Sequence, residues 1–273
     1  MKKYIVCYSG GHSSAIVAVE AARKYGPENI ILLNHDICER VEDPDIKRFK
    51  NEVADFLGIP ITYANMQGWE SMDQFDIALK SRFLGHGVPG GAICTNRLKT
   101  EPFKKYLDEN FPASREQPNN EAVILYGFDP KEINRMRRRA AIMRDMGYFV
   151  DFPLMWENRT IHDIEEIGIR RPATYAIYNH ANCKGCLKAG AMHWYVVYCT
   201  EPEIFEKAKA TERVLGRTII KEKPLAVLEV EKFEPMKRIG ITPQESGTPQ
   251  RFWSEAKKML KDYETNMPCE CTE

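Results

Sequence analysis

Long apolar runs are absent from this 273-residue sequence. No stretch approaches the roughly 20 apolar residues that a membrane-spanning helix requires. The first residues, Met1-Lys2-Lys3, lead directly into a short strand-like segment and not into the apolar core of a signal peptide. We therefore expect a cytoplasmic protein with no membrane partner.

An excess of charge of either sign is also absent, because 39 basic residues balance 39 acidic residues. No overall field attracts nucleic acid or anionic lipid, which leaves only local patches for such partners. Internal repeats and low-complexity tracts are missing as well. The eight cysteines occur without an export signal, so we expect reduced thiols, metal ligands or catalytic sulfur in place of disulfides.

Short apolar segments alternate with helical patterns over the first half of the chain. The segments predicted as strands are Tyr4–Tyr8, Asn29–Asn34, Ile59–Ala64, Ala122–Tyr126 and Tyr148–Phe152. The alternation predicts an α/β fold with a doubly wound, mostly parallel sheet, whose ligands bind beyond the carboxyl ends of the strands.

The domain organisation follows from the same pattern. We expect a nucleotide-binding α/β domain over residues 1–153 and a mostly helical region over 154–265 that packs on it. A cysteine-containing tail covers 266–273. The predicted helices are Ser13–Tyr25, Pro44–Leu57, Gly68–Phe83, Leu98–Phe111, Pro130–Met146, Thr160–Ile167, Gly185–Cys199, Glu201–Leu215 and Thr248–Tyr263.

The first candidate site is the loop between the first strand and the first helix. Two glycines let the backbone turn its amides inward, serines add hydroxyl donors, and the helix N-terminus adds positive potential, which together suit a phosphate or pyrophosphate. A Walker loop is excluded because its Gly-Lys-Ser/Thr ending is missing. The alternative is an ordinary glycine turn. The residues are Ser9, Gly10, Gly11, His12, Ser13 and Ser14.

This loop resembles the pyrophosphate-binding loop of the adenine nucleotide alpha-hydrolase group, whose usual pattern is Ser-Gly-Gly-x-Asp-Ser. The resemblance implies an adenine nucleotide as ligand, with Mg²⁺ as a further cofactor. Ser13 stands where the aspartate is common. With this difference the loop can still bind phosphate, but it lacks the carboxylate that could bind Mg²⁺ or pair with a lysine.

The second candidate site is the segment Cys94–Phe103, which reads Cys-Thr-Asn-Arg-Leu-Lys-Thr-Glu-Pro-Phe. It places a thiol beside two cations, Arg97 and Lys99, at a helix start, where an anion or thiolate is stabilised. The alternative is a buried cysteine before a basic helix face. The segment is similar to the Cys-Thr-x-x-Leu-Lys-x-x-Pro-Phe segment of the phosphoadenosine phosphosulfate (PAPS) reductase family, which implies that Arg97 binds the nucleotide and Lys99 acts in catalysis.

The third candidate site follows the fourth predicted strand, where Glu132 and Arg135 precede three further arginines. The segment resembles a Gly-x-x-x-x-Glu-x-x-Arg stretch of the same family, which implies that Arg135 lies near the substrate phosphates or sulfate and is catalytic. An internal ion pair at helical i, i+3 spacing is the alternative for Arg135. For the arginine run, a solvated helix face is the alternative.

The fourth candidate site is the pair Cys183 and Cys186. A Cys-x-x-Cys pair can chelate zinc, hold an iron-sulfur cluster or act as a redox couple. Resemblance to the cluster-binding members of the family implies that Cys94 joins this pair as a ligand of one iron-sulfur cluster or zinc ion. The candidates for a fourth ligand are Cys199, Cys269 and Cys271.

The fifth candidate site is the tail, where Glu270-Cys271 resembles the C-terminal Glu-Cys-Gly segment of sulfonucleotide reductases, with Thr272 in place of glycine. The resemblance implies that Cys271 attacks sulfate sulfur. A tail with incidental cysteines and a tail that supplies a metal ligand are the alternatives. Elsewhere, Asp36 ends the second strand, a position that faces the nucleotide in such sheets. His162 and His193, in predicted helical segments, are expected to satisfy local hydrogen bonds, whereas His180 and His35 lie in loops without partners at ligand spacing.

Two chemistries are compatible with the resemblance. In the first, the enzyme reduces a sulfonucleotide (PAPS or its 3′-unphosphorylated form, APS) with a thiol, and a thioredoxin-like protein donates the electrons. In the second, it adenylates an acceptor with ATP, releases pyrophosphate and transfers sulfur to a nucleic acid or a small molecule. A non-enzymatic module that binds a nucleotide or nucleic acid is a third hypothesis.

Overall fold

The computed structural model describes residues 2–69, 71–85, 91–245 and 247–266, and these residues form two compact units. The first unit comprises the residues up to Ser71 and Thr95–Tyr175. The second comprises Met72–Cys94 and the described residues from Ala176 onward. The boundary therefore differs from the one expected at residue 153, and residues 72–94 lie with the C-terminal half.

A five-stranded parallel sheet in the order β3-β2-β1-β4-β5 forms the centre of the first unit. Val6 of the central strand is in register with Leu32 on one side and Leu125 on the other. The α/β fold with a parallel sheet is thus confirmed. The strands are β1 (Lys3–Cys7), β2 (Ile30–Asn34), β3 (Ile61–Tyr63), β4 (Asn119–Leu125) and β5 (Tyr148–Asp151).

Helices follow the strands in the first unit and make up most of the regular structure in the second. In chain order they are α1 (His12–Tyr25), α2 (Pro44–Leu57), α3 (Gln74–Ser81), α4 (Ile93–Thr95), α5 (Glu101–Asn110), α6 (Ile133–Asp145), α7 (Ala191–Thr200), α8 (Pro202–Leu215), α9 (Leu225–Leu228), α10 (Glu234–Arg238) and α11 (Pro249–Asn266). A π-helical turn, Asn96–Thr100, joins α4 to α5.

Both faces of the sheet are covered, as the doubly wound prediction requires. One core contains Phe49 and Val53 of α2, the buried apolar residues of α1, and Leu32 of β2. The other core contains Leu107 of α5 and Met143 of α6. Strands buried on both faces need continuous apolar sequence, which explains why they could be recognised from short β-branched runs.

The boundary at Tyr175 has a packing reason. Leu154, Ile161, Ile164 and Ile169 are buried in the same core as α1, so residues 154–175 belong to the α/β unit despite their irregular backbone. Only a short 3₁₀ turn, Ile164–Ile167, forms where a helix over 160–167 was predicted.

The second unit has an aromatic core of its own. Trp194 of α7 packs against Phe75 of α3 and Phe205 of α8, with ring centroids 6.4 Å apart in both pairs. Burial of Phe75 in this core explains why α3 groups with the C-terminal half and not with the sheet.

Two helices of the second unit begin later than predicted. Helix α3 starts at Gln74 and not at Gly68, because the Asp73 side chain caps it by accepting from the amides of Phe75 and Asp76. Helix α7 starts at Ala191 and not at Gly185. No helix within the described ranges combines the length and apolarity that crossing a membrane requires.

Candidate functional site

The loops after β1 and β4 meet at the point where the strand order reverses. A Cβ atom on Gly127 would lie 3.1 Å from the carbonyl carbon of Ser13 and 3.2 Å from the Ser14 nitrogen. Side chains rarely make Cβ contacts this short, so the glycine favours the close approach of the backbone after β4 to the start of α1. In open parallel sheets, ligands bind in the crevice at this reversal of strand order, so the predicted loop stands at the expected place.

The backbone of the phosphate-binding candidate loop depends on Gly10, whose φ is +76°. A Cβ atom there would lie 3.1 Å from Ile46 Cγ2, so side chains are disfavoured by conformation and by space. Gly11 occupies the N-cap position of α1 in an extended conformation, and no side chain caps this end of the helix. The Ser14 hydroxyl donates to the Gly11 carbonyl at 2.8 Å, and Ser9 Oγ lies 3.3 Å from Ser14 Oγ. The serines thereby brace the loop at the helix N-terminus.

Tyr175 contacts the same helix N-terminus. Its hydroxyl oxygen accepts a hydrogen bond from the His12 amide at 2.9 Å. Burial raises the pKa of Tyr175, so the hydroxyl is neutral. One amide that could bind a phosphate oxygen therefore already has a partner, which a ligand would have to displace or use.

The His12 side chain lies beside an ion pair. Its Nε2 is 3.2 Å from Asp163 Oδ1, and Arg171 Nε donates to the same oxygen at 3.0 Å. Burial lowers the pKa of His12, and the Arg171 charge lowers it further. At neutral pH the imidazole is thus favoured in its uncharged form, and the charge of Arg171 is paired with that of Asp163.

A buried lysine lies under the loop. Lys50 is 1% exposed, and its Nζ lies 3.2 Å from Glu42 Oε2 and 3.4 Å from Asn34 Oδ1. Asn34 in turn donates to the Tyr8 carbonyl at 2.5 Å. Burial raises the pKa of Glu42, although Lys50 opposes the shift. This network joins the carboxyl ends of β1 and β2 and supports the loop from below.

Asp36 lies at the carboxyl edge of the sheet, as expected from the sequence. Its backbone exchanges two hydrogen bonds with the Asn65 side chain, at 3.0 and 2.9 Å. Its carboxylate is half exposed and lies 3.2 Å from Lys47 Nζ. A carboxylate fixed at the end of the second strand can accept hydrogen bonds from ribose hydroxyls.

Arg97 and Lys99 lie on the π-helical turn. Arg97 Nη1 is 2.5 Å from Glu101 Oε1, and its guanidinium lies 5.9 Å from the Trp69 ring. Lys99 is exposed. Burial lowers the pKa of His35, a hydrogen bond to the Ala64 carbonyl opposes this, and the Lys99 charge lowers it further. Because His35 follows β2, Lys99 adds positive potential at the same edge as Asp36.

Arg135 forms an ion pair with Glu132, which is the alternative that their i, i+3 spacing allows. Glu132 also accepts from the Asp129 amide at 3.0 Å, as part of a capping box. The Arg135 side chain remains 68% exposed, and its guanidinium lies 4.8 Å from the Phe128 ring. The pairing fixes the arginine at the turn after β4, where its charge still faces solvent.

The cysteines predicted to bind a metal lie in the second unit. In the described residues, His180, His193 and Glu245 form the group of three metal-type side chains whose ligand atoms lie within 4.8 Å of one another. Cys94, Cys183 and Cys186 do not form such a group. The expectation that the three thiols converge on one iron-sulfur cluster or zinc ion therefore stays a prediction.

The Cys-x-x-Cys turn is held by hydrogen bonds to its backbone. Gln74 Nε2 donates to the carbonyls of Lys184 and Gly185, at 2.7 and 3.0 Å. The Cys186 amide donates to His193 Nε2 at 3.2 Å. These bonds fix the turn against α3 and α7 without using either sulfur. Cys269 and Cys271 lie outside the described residues.

The histidine–glutamate cluster was not predicted as a unit. Glu245 accepts from His193 Nδ1 at 2.6 Å and from His180 Nε2 at 3.2 Å. Burial tends to raise the pKa of Glu245, but hydrogen bonds and charge from both histidines outweigh it and lower the pKa to about 2. Glu245 is 52 residues from His193 in sequence, so no local spacing signal could have identified the cluster.

The outer nitrogens of this cluster argue against a metal. A histidine that binds a metal normally donates its other N–H to a carbonyl or carboxylate. Here the outer nitrogens face donors, because Asn182 N lies 3.2 Å from His180 Nδ1 and Cys186 N lies 3.2 Å from His193 Nε2. The group is therefore a hydrogen-bonded triad. His193 is thus hydrogen-bonded, as expected, and His180, for which no partner was expected, shares the same carboxylate.

Comparison with known proteins gives one partial match to report. The chain is 32% identical over 128 residues to the Uncharacterized nin region protein ORF290 of Escherichia phage lambda, which covers 39% of this chain and 43% of that protein. The match thus spans less than half of the length of either protein. No family model matches the sequence, and no solved structure matches it.

Proposed function

We propose that the chain is an adenine-nucleotide-binding enzyme of sulfur metabolism that resembles PAPS reductase family proteins. The observation that carries the proposal is the contact of Gly127 with Ser13 and Ser14, which places a glycine loop and a helix N-terminus at the reversal of strand order. Amides and hydroxyls of residues 9–14 bind the phosphates, and Asp36 binds the ribose.

The cations around the loop favour an anionic substrate that needs no metal. Arg171 lies near a residue that follows β1, Lys99 lies near one that follows β2, and Arg135 lies near one that follows β4. The loop itself lacks a carboxylate for Mg²⁺, because Ser13 occupies that position. This balance favours a sulfonucleotide, whose phosphate and sulfate charges the cations can stabilise.

The reaction proposed first is thiol-dependent reduction. The Cys271 thiolate attacks the sulfate sulfur, an S–S bond forms, and the S–O bond breaks with its electron pair on the nucleotide phosphate. Lys99 and Arg135 stabilise that phosphate. A thioredoxin-like dithiol then attacks the Cys271 sulfur, releases sulfite and ends as a disulfide, so that two electrons pass from the dithiol to sulfur. No step uses a cluster or zinc.

A second reaction is favoured by the resemblance of the loop to pyrophosphate-binding loops. An acceptor attacks the α-phosphorus of ATP and pyrophosphate leaves. A sulfur nucleophile then displaces AMP from the adenylated acceptor. The acceptor in this scheme is a nucleic acid or a small molecule, and Mg²⁺ bound to the phosphates would be held partly by Asp36. The products separate the two reactions, since sulfite marks the first and pyrophosphate the second.

The test is the substitution Gly127→Ala, with Gly190→Ala as its matched control. Neither glycine has a positive φ, but a Cβ on Gly190 meets nothing within 4 Å, whereas one on Gly127 crowds the loop backbone. We expect Gly127→Ala to weaken binding of ATP, APS or PAPS by about tenfold, because the loop must shift by a few tenths of an ångström and one hydrogen bond has a net value of about 1 kcal/mol. Calorimetric titration measures the affinity.

Gly190→Ala should bind as the unchanged protein does. Equal affinity in the Gly127 and Gly190 variants, with both folded, would remove the loop from the site. Failure of the unchanged protein to bind any of the three nucleotides would refute the proposed function.

A further inference from the structure

Helix α6 concentrates positive charge in a chain that is neutral overall. Its 13 residues, INRMRRRAAIMRD, include five arginines and one acidic residue, Asp145. Within the described residues, only Arg135 of these arginines has a carboxylate oxygen within 4.0 Å. Four of its five arginines therefore have no carboxylate partner among the described residues.

The unpaired arginines face outward. Met136 and Met143 are the buried residues of α6, and Arg137, Arg138 and Arg144 are exposed. Arg135 and Arg139 lie at i, i+4 spacing, at which like charges destabilise an isolated helix. A helix that keeps this charge unneutralised is suited to an anionic partner.

The geometry of the face fits a repeating anion. Arg137 and Arg144 are seven residues apart, which places them on one side of the helix and separates them by about 10 Å along its axis. Arg138 lies on the other side of the exposed surface. The charge is thus distributed along the helix and not gathered at one point, as a single phosphate would require.

An aromatic stack adjoins the N-terminal end of the helix. The rings of Tyr126 and Phe128 are parallel with centroids 5.5 Å apart, and Phe152 lies 6.0 Å from Phe128. Arg139 lies 5.5 Å from the Tyr126 ring. Gly127, between the stacked residues, contacts the phosphate-binding candidate loop. Tyr126 is 8% exposed and belongs to the core, whereas Phe128 and Phe152 are half-buried and leave part of their rings accessible.

We propose that this face, made of Arg137, Arg138 and Arg144, binds the phosphodiester backbone of a single-stranded nucleic acid. Arginine binds phosphate bidentately, and nucleic-acid grooves combine such charge with aromatic rings on which bases stack. A membrane surface is disfavoured, because the exposed apolar side chains of α6 are only Ile133 and Ile142, without aromatic residues. The proposal that this nucleic acid is also the sulfur acceptor rests on the second reaction proposed above. The proposal that it binds to the arginine face does not.

The experiment measures fluorescence anisotropy of a labelled single-stranded RNA and DNA of about 20 nucleotides. The test variant is Arg137→Gln/Arg138→Gln/Arg144→Gln. The control, Lys257→Gln/Lys258→Gln/Lys261→Gln, removes the same charge from exposed positions of α11. A third variant, with the same three arginines changed to lysine, keeps the charge but loses the planar donor group.

We expect the glutamine variant of α6 to bind at least about tenfold more weakly at moderate salt. The slope of log affinity against log salt should fall by about 2, because each phosphate neutralised on a single strand contributes about 0.7. The lysine variant of α6 should keep most of the slope, and the α11 control should match the unchanged protein.

Equal affinities and slopes in the α6 and α11 glutamine variants would overturn the proposal. Binding to phosphatidylserine vesicles with no binding to either oligonucleotide would overturn it as well. Gly127→Ala separates this proposal from the proposed function, since it should lose the nucleotide and keep the oligonucleotide. Loss of oligonucleotide binding in Gly127→Ala, with the fold intact by circular dichroism, would count against a site on α6.

Discussion

The glycine loop of the first unit and the Cys-x-x-Cys turn of the second are comparable signals in the sequence, but the structure uses them differently. Around the loop, Gly10 and Gly127 bring backbone segments together at the edge of the sheet. Around the turn, the side chains of Gln74 and His193 form hydrogen bonds with backbone atoms. The comparison teaches that similar glycine-containing motifs are held in different ways, the first by close approach of backbone segments and the second by side chains that bond to its backbone.

The largest effect that tests this comparison is expected at Gly185, inside the turn. Its φ is +69°, and a Cβ there would lie 2.7 Å from Ile204 Cγ2 and 3.2 Å from Phe75 Cζ. We expect Gly185→Ala to lower the free energy of unfolding by about 2–4 kcal/mol, through left-handed strain and overpacking together. Urea denaturation measures the loss.

Gly216→Ala is the control for Gly185, because its φ of +60° is similar and the space around it is open. Gly216→Ala should lower the free energy of unfolding by about 1 kcal/mol, which is the cost of the left-handed backbone strain alone. Equal losses at both positions would mean that the turn is not tightly packed and that its proposed structural role is wrong.

A smaller effect is expected at Glu245, which holds the histidines next to the turn. Its pKa is about 2 in the folded protein against an ordinary value of 4.5. A lowered folded pKa stabilises the protein above pH 4.5, and this stabilisation is lost as the pH falls from about 4.5 to about 2. At about 1.4 kcal/mol per pH unit the loss is about 3 kcal/mol at most.

Glu245→Gln should remove this pH dependence between about 4.5 and 2 and lower stability at neutral pH. Unfolding followed by circular dichroism over this pH range measures both. Because Glu212, also buried, accepts from the amides of Ile219 and Leu225 and not from histidines, Glu212→Gln is a suitable control. An unchanged pH profile in Glu245→Gln would contradict the role of Glu245 in the hydrogen-bonded triad. Stabilisation of only the unchanged protein by added zinc would favour a metal site.

The smallest effect concerns Tyr175, whose hydroxyl accepts from the His12 amide. If ligand binding needs that amide, Tyr175→Phe should raise nucleotide affinity by about tenfold or less, because one hydrogen bond has a net value of about 1 kcal/mol. Calorimetric titration checks the affinity, with Tyr148→Phe, whose hydroxyl donates to the Phe111 carbonyl, as control. Weaker binding in Tyr175→Phe would instead identify the hydroxyl as a ligand donor.

Much of the α/β unit could be predicted, because its signals are local. Apolar runs marked all five strands, and Asp43-Pro44 with Gly58 marked the ends of α2 correctly. The Asp73 cap was overlooked, so α3 was started too early. In residues 160–167, helical spacing was misleading, because Ile161 and Ile164 are buried beside α1 without a regular helix.

What the sequence by itself determined is the alternation of strands and helices, the glycine loop at the first crossover and the position of Asp36 at a strand end. These follow from periodicity and from conformations that only glycine adopts easily. The tertiary structure alone decided the strand order, the approach of Gly127 to Ser13, the assignment of residues 154–175 to the first unit and the triad around Glu245. Such contacts join residues that are far apart in sequence, and long-range packing leaves no local pattern from which they could be inferred.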